Sequence, residues 1–280
     1  MDNLRIAFQG IPGAHSEAAL LDFLEQQGLN VKTVPTEGYF REFFQKIEDS
    51  GMGWVPIENS YHGTVTESVD LLRQHPYRII ASYTHNVEHC LAALPGTLIT
   101  DVQEAISHPQ ALGQCSQYLH DGSIAPKTFP DTAAAARHVV ELGDKHVAAI
   151  CSARAAQIYG LKILEKSIQD SETNSTTFLL VVAGDSAEEV GSKLKKTSEQ
   201  KTTTIFFETK DIPAALYKCL GGFATNNVNL SKIESRPSKN ERSKYFFFID
   251  VDGDPQDAHV ARALEELEHF SKHVEILGTY

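Results

Sequence analysis

The sequence predicts an α/β domain followed by a smaller α+β module, and three observations carry that prediction. Short apolar runs alternate with helical patterns from Leu4 to Val182. Between most runs and their helices lie Gly or Pro with Ser, Asn or His, residues that favour turns and helix starts. After a polar stretch, the last 80 or so residues show the order βαββαβ.

Residues 4–8 predict the first buried strand, followed by the turn Gln9–Gly13 and a helix opened by Ser16 and Glu17 and continued by Ala19, Leu20, Phe23 and Leu24. Gly53–Ile57 predicts a second strand, running into Glu58-Asn59-Ser60 and a helix of Val65, Val69, Leu71 and Leu72. Ala105–Ser107 leads into His108-Pro109-Gln110 and a helix with Leu112, Cys115 and Leu119. His146–Ile150 leads into Ser152 and an Ala-rich helix ending at Gly160, and Phe178–Val182 closes the series. Strands alternating with helices imply mostly parallel pairing, with ligand loops beyond the carboxyl ends of the strands. Residues 185–201 are expected to be a linker. The module from residue 202 is expected as strand Thr203–Glu208, helix Ala214–Thr225, strands Asn229–Ser235 and Lys244–Val251, helix Asp257–Phe270 and strand Val274–Leu277.

Composition narrows the function. Twenty-five Lys and Arg against 37 Asp and Glu give a net charge of −12, which disfavours a nucleic-acid partner. The four cysteines lie far apart without a Cys-x-x-Cys pair, indicating neither a disulfide framework nor a zinc knuckle. The first residues run straight into an apolar strand and lack a signal-peptide core, and no apolar run is long enough to span a bilayer. A cytoplasmic protein without a membrane partner is expected.

The Gln9–Gly13 turn is no dinucleotide fingerprint, and no Gly-x-Ser-x-Gly elbow is present. His85 and His89 are four apart but lack the Glu of a zinc helix, so no metal is expected. Ser16, Ser60, Ser107, Ser152 and Asn174–Thr176 all fall at strand ends or helix starts. Each alone reads as a cap; together they describe a cleft lined by backbone N–H groups and hydroxyls, suited to a small carboxylate.

Several motifs, in order, carry a family resemblance: Pro56–Ser60 with Gly63-Thr64-Val65, Ser107–Leu112 with Gln114-Cys115, Asp131-Thr132-Ala133, Ser152–Ala156 with Tyr159-Gly160-Leu161, and Ile168–Asp170 with Asn174. They resemble prephenate dehydratase over nearly the whole chain, and the module with Ile233–Pro237 resembles an ACT regulatory domain. The first turn is also similar to the plant arogenate dehydratases. The resemblance implies a two-lobed, periplasmic-binding-protein-like catalytic domain over 1–184, with crossings near 80 and 165, and a ferredoxin-like ACT domain over 202–280. It implies loss of water and carbon dioxide from prephenate to give phenylpyruvate in phenylalanine biosynthesis, without a cofactor. The alternatives are arogenate as substrate, or an aromatic-acid sensor without turnover.

By the same resemblance Asn59 and Gln114 orient the substrate, Ser107 bonds a carboxylate, Thr176 contacts the leaving hydroxyl, and Glu58 is a rival acid if burial raises its pKa. Ser16, Ser60, Gly63, Thr64, His108, Thr132, Ser152 and Phe178 surround them, with Phe178 packing behind Thr176. The family's Thr-Arg-Phe is Thr176-Thr177-Phe178 here. Either another cation compensates (Arg154, Arg137 and Lys127 are candidates), or activity is reduced or redirected, or the family's arginine has a structural task. In the ACT domain, Ala214, Ala215, Leu216, Asn229, Leu230, Glu234, Ser235, Arg236 and Pro237 match the region that binds phenylalanine between paired modules. Ala214 stands where the family usually has glycine. A homodimer or homotetramer is expected from the resemblance.

Overall fold

The computed structural model describes residues 4–171, 173–183, 186–195, 201–237 and 245–280. It divides into two compact units, one of Met1–Gly63 with Tyr83–Phe178 and one of Thr64–Ser82 with Leu179–Tyr280.

The first unit opens with β1 (Arg5–Gln9), α1 (His15–Gln27), β2 (Lys32–Thr36), α2 (Phe40–Ser50), β3 (Gly51–Asn59) and the two-residue β4 (Gly63–Thr64). After α3 (Thr66–Leu72), which belongs to the second unit, the long β5 (Tyr77–Asn86) returns the chain to the first. There follow β6 (Cys90–Ala93), β7 (Glu104–Ser107), α4 (Pro109–Gln114), α5 (Ser116–Asp121), β8 (Ala125–Thr128), α6 (Thr132–Leu142), β9 (Val147–Cys151), α7 (Ala153–Ile158) and β10 (Lys162–Glu165). β11 (Ser175–Ala183) begins in the first unit and ends in the second.

These strands make two sheets, of order β2-β1-β3-β11-β5 with β4 on β3, and β10-β6-β9-β7-β8. β1 pairs parallel with β2 and β3, and β7 parallel with β8 and β9. The expectation of mostly parallel pairing meets an exception at β6, which runs antiparallel to both β9 and β10. β6 follows β5 through three residues rather than a crossover helix, so nothing obliges it to run parallel.

The second sheet is covered on both faces, which explains the apolar run of β9. Ala149 and Cys151 face α6 and α7 with Ala92, Ile106, Ala136 and Val139. Ala148 and Ile150 face α4 and α5 with Leu91, Ala105, Leu112 and Leu119. A strand buried on both sides loses the alternation of a half-exposed one. Asp131 accepts from Ala134 N at 2.8 Å and starts α6; Ser152 accepts from Ala155 N at 2.9 Å and starts α7. Both helices therefore begin where the sequence places turn residues.

Within the expected linker, α8 spans Ala187–Gly191; positions 185 and 196–200 lie outside the described residues. The second unit continues with β12 (Thr202–Thr209), α9 (Ala215–Thr225), β13 (Leu230–Pro237), β14 (Tyr245–Asp252), α10 (Ala258–Phe270) and β15 (Ser271–Thr279). Lys244, the expected first residue of β14, falls outside the described residues. Strand order is β13-β14-β12-β15, all pairs antiparallel. Ile205, Phe207, Ile249 and Val251 point at Phe223, Val260, Leu264 and Leu267 of the two helices. Burying each such side chain contributes about 1.5–3 kcal/mol. Gly222 lets the helices approach: a Cβ there would lie 2.7 Å from Glu266 Cβ and 3.0 Å from Ala263 O.

Candidate active site

The candidate site is built in the first unit, where β3 and β11 deliver Asn59 and Thr176 side by side. The apolar run Met52–Ile57 is buried and ends at exposed Glu58. There the chain turns, and Asn59 Oδ1 accepts the backbone N–H groups of Tyr61 at 3.0 Å and His62 at 3.1 Å. With its oxygen so occupied, its amide nitrogen directs its two hydrogens, one of them shared, to Thr176 Oγ1 at 3.0 Å, Ser175 O at 3.1 Å and Asn174 Oδ1 at 3.2 Å. Asn174 is 2% exposed and donates through Nδ2 to Gln114 Oε1 at 2.9 Å. Asn59 thus holds Thr176 directly and reaches Gln114 through Asn174. The candidate trio is one hydrogen-bonded group.

Its supports are equally specific. Ser60 N donates to Ser175 O, and Ser60 Oγ donates to Thr173 O while accepting from Ser175 N, so the hydroxyl stitches the β3 turn to β11. Gly63 takes φ 71°, a conformation glycine adopts freely. Gln114 O accepts from Asp170 N, and Asp170 in turn accepts from Ser116 Oγ and Gln117 N at the start of α5. Phe178 is buried and stacks on Trp54, centroids 5.4 Å apart and planes 8° from parallel.

Other candidate residues hold the framework. Ser107 is fully buried and donates to Ile150 O at 2.6 Å, tying β7 to β9. Ser16 donates to Gln9 O, and Ser152 donates to Gly13 O at 2.6 Å. His108 caps α4, its Nδ1 accepting from Gln110 N, and burial lowers its pKa. Thr132 opens α6. Glu58 lacks the burial required of a rival acid.

Two groups escaped the sequence reading. Buried Glu17 accepts from Gly13 N and from Arg154 Nε, both at 2.8 Å, which anchors the first turn to α7. Gly13 permits this approach, since a Cβ would fall 2.8 Å from Ala155 Cα. His89 is 2% exposed, and its Nε2 lies 2.8 Å from Gln114 Oε1. Burial lowers the pKa of His89, against the opposing effect of Gln114. His15 meets it edge-on at 5.0 Å, its own pKa pushed well down by burial and by the neighbouring His89 and His85. Nothing in the His85/His89 spacing signals a partner 25 residues away.

Of the three candidate cations, Lys127 pairs with Glu104 and Arg137 with Glu141, both on exposed ground. Arg154 alone stands beside the first turn.

Comparison with known proteins decides the family. The prephenate dehydratase model matches residues 6–186, and the ACT domain model matches 203–269. The chain belongs to the prephenate dehydratase family. Among its relatives is arogenate dehydratase/prephenate dehydratase 1, chloroplastic, of Arabidopsis thaliana, 39% identical over 99% of this chain and 72% of that one. Another is the bifunctional N-acyl-homoserine lactone acylase/prephenate dehydratase of Komagataeibacter europaeus, 35% identical over 98% of this chain and 95% of that one. A solved prephenate dehydratase from Arthrobacter aurescens, in complex with L-Phe, superposes with a TM-score of 0.86 at 30% identity, covering 99% of this chain and 90% of that chain.

The residues expected to bind the effector lie in the second unit. Ala214 holds φ 58° and ψ 30° just before α9, left-handed geometry that glycine adopts more readily than alanine. Asn229 donates to Asp252, and Leu230–Pro237 form β13. Glu234 accepts from Thr64 Oγ1 at 3.1 Å. Arg236 holds Asp70 with two parallel bonds.

Proposed function

We propose that the chain is a carbon–oxygen lyase that converts prephenate to phenylpyruvate, with phenylalanine as effector at its ACT domain. The observation that carries this reading is the direction of the hydrogen bonds around Thr176. Its oxygen accepts from Asn59, so its own hydrogen remains available for a departing oxygen. The ring carboxylate leaves as carbon dioxide, its bonding electrons aromatise the ring, and the C–O bond breaks. The departing hydroxide takes up one proton and becomes water. A threonine hydroxyl is too weak an acid to supply that proton outright; it stabilises the developing charge by donating a hydrogen bond. Arg154, joined to Glu17 through Nε, leaves its Nη groups for a substrate carboxylate.

The site residues, cytoplasmic location and dimeric or tetrameric state belong to the same proposal. The location is in keeping with the described helices, of which none is long and apolar enough to cross a membrane. Incubation with prephenate and with arogenate, quantifying phenylpyruvate and phenylalanine separately, tests the reading. Phenylpyruvate from prephenate supports it; phenylalanine from arogenate alone transfers the assignment to the amino-acid substrate; no turnover of either removes it.

A second reading has its own observation. A groove of about 740 Å³, lined by Pro109, Leu112, Leu119, Ile124 and Pro126 among others, offers apolar walls to an acyl chain such as the Komagataeibacter relative's lactone substrate carries. Release of a fatty acid from an N-acyl-homoserine lactone would support it, and intact lactone after prolonged incubation would dismiss it.

A further inference from the structure

The amide groups around Thr176 form a one-way relay whose polarity can be followed outward from fixed backbone donors. Asn59 Oδ1 takes two backbone N–H groups, which cannot reverse, so Asn59 Nδ2 is the donor to Asn174. Asn174 therefore accepts with Oδ1 and donates with Nδ2. Gln114 must then present Oε1, an acceptor only, to both Asn174 Nδ2 and His89 Nε2. The imidazole nitrogen at 2.8 Å is consequently the protonated one. Burial keeps the ring neutral, and Nδ1, which finds no partner among the described residues, carries the lone pair. With its oxygen clamped between two donors, the Gln114 amide nitrogen keeps both N–H groups without a protein partner among the described residues.

We infer that His89, held as its Nε2–H tautomer, is a positioning residue for the dehydration, aiming the Gln114 amide at the substrate. This rests on the dehydratase reading for its consequence, but not for its geometry. His89 does not touch the reacting atoms in this account; it acts through Gln114. The edge of His15 packs against it and limits the ring's rotation.

The test combines kinetics with a readout independent of turnover. His89→Leu removes the donor, whereas His89→Gln returns an N–H to nearly the same place. The leucine variant is expected to lose about 10–100-fold in kcat with KM little changed, the size of effect that slight misplacement produces. The glutamine variant should recover most of that loss, and circular dichroism should show both folded. Equal activity of wild type and His89→Leu, or failure of a folded His89→Gln to improve on His89→Leu, overturns the inference. Long-range nitrogen–proton spectra of the histidine-labelled wild-type protein, with His89 assigned from the signal lost in His89→Gln, should show a bare Nδ1 and a protonated Nε2. The opposite tautomer or an imidazolium at neutral pH overturns the relay even if the protein turns over neither substrate. In that last case the normal tautomer would leave the geometry standing while the dehydratase reading fails.

Discussion

Thr177 Oγ1 lies 2.9 Å from Thr84 Oγ1, a hydroxyl pair joining β11 to β5. Successive residues of a strand face opposite sides, so Thr177 turns away from the face on which Thr176 meets Asn59. This favours a structural task, over a missing catalytic charge, for the arginine expected at this position from the family motif. Thr177→Arg is expected not to raise kcat/KM for prephenate. Thr177→Val should cost about 1 kcal/mol of stability, the net worth of one hydrogen bond, in urea unfolding. A gain of activity in the arginine variant would restore the charge-deficit reading.

Arg236 and Asp70 are joined by Nε–Oδ1 at 2.9 Å and Nη2–Oδ2 at 3.0 Å. The bond to Asp70 raises the arginine pKa, and the planar fork is a geometry lysine cannot reproduce. Arg236→Lys and Asp70→Asn, combined in a double-mutant cycle, should show a coupling energy of about 1 kcal/mol or more in unfolding. Because α3 follows shortly after the Asn59 turn, breaking the same pair is expected to weaken the response of activity to phenylalanine. Independent, additive effects of the two substitutions would contradict this.

Ala214 occupies left-handed backbone at φ 58°. An alanine there costs about 1–2 kcal/mol, offset in part by the greater chain entropy of glycine. Ala214→Gly should therefore stabilise the protein by about 0.5–1 kcal/mol and strengthen phenylalanine binding in calorimetry. A loss of stability would place the strain elsewhere.

Four histidines, His15, His85, His89 and His108, have pKa values lowered chiefly by burial. In the folded chain they stay neutral at pH values where the unfolded chain takes up protons. Unfolded histidine titrates near pH 6.5, so their contribution is fully present above about pH 6.5 and is lost as pH falls toward the lower folded values. Each contributes a slope of at most about 1.4 kcal/mol per pH unit. Urea midpoints measured downward from pH 7 should fall, and His15→Phe should make the fall shallower. A flat profile would show that these rings are accessible to protons.

Much of the fold was legible in the sequence because its strands are short apolar runs that end in turn chemistry. The ACT module's six elements appear in the expected order, with ends displaced by a few residues, the final strand Ser271–Thr279 most of all. β5 was not read as a strand: Tyr77–Asn86 alternates, its odd positions the more buried, but beyond Ile80 the inward residues are Ala81, Tyr83 and His85 rather than an apolar run. Nor was the insertion of β11 between β3 and β5 legible, since contacts between residues 93 apart (Thr84 and Thr177) and 116 apart (Asn59 and Ser175) leave no local pattern. The residue types around Thr176 were readable from the family motifs. Their polarity was not, because which amide atom faces which depends on backbone donors such as Tyr61 N and His62 N that only the folded turn brings together.

The central claim is that Asn59 holds the Thr176 oxygen so that its hydroxyl hydrogen serves the departing group. The most direct measurement is phenylpyruvate formation from prephenate by wild type, Thr176→Val and Asn59→Asp. Valine keeps the shape and removes the hydroxyl; aspartate keeps the acceptor for Tyr61 N and His62 N and removes the donor. Both are expected to lower kcat by about 100-fold or more, the usual effect of removing one preorganised donor, with their fold intact by circular dichroism. Wild-type rates in a folded Thr176→Val protein would contradict the account.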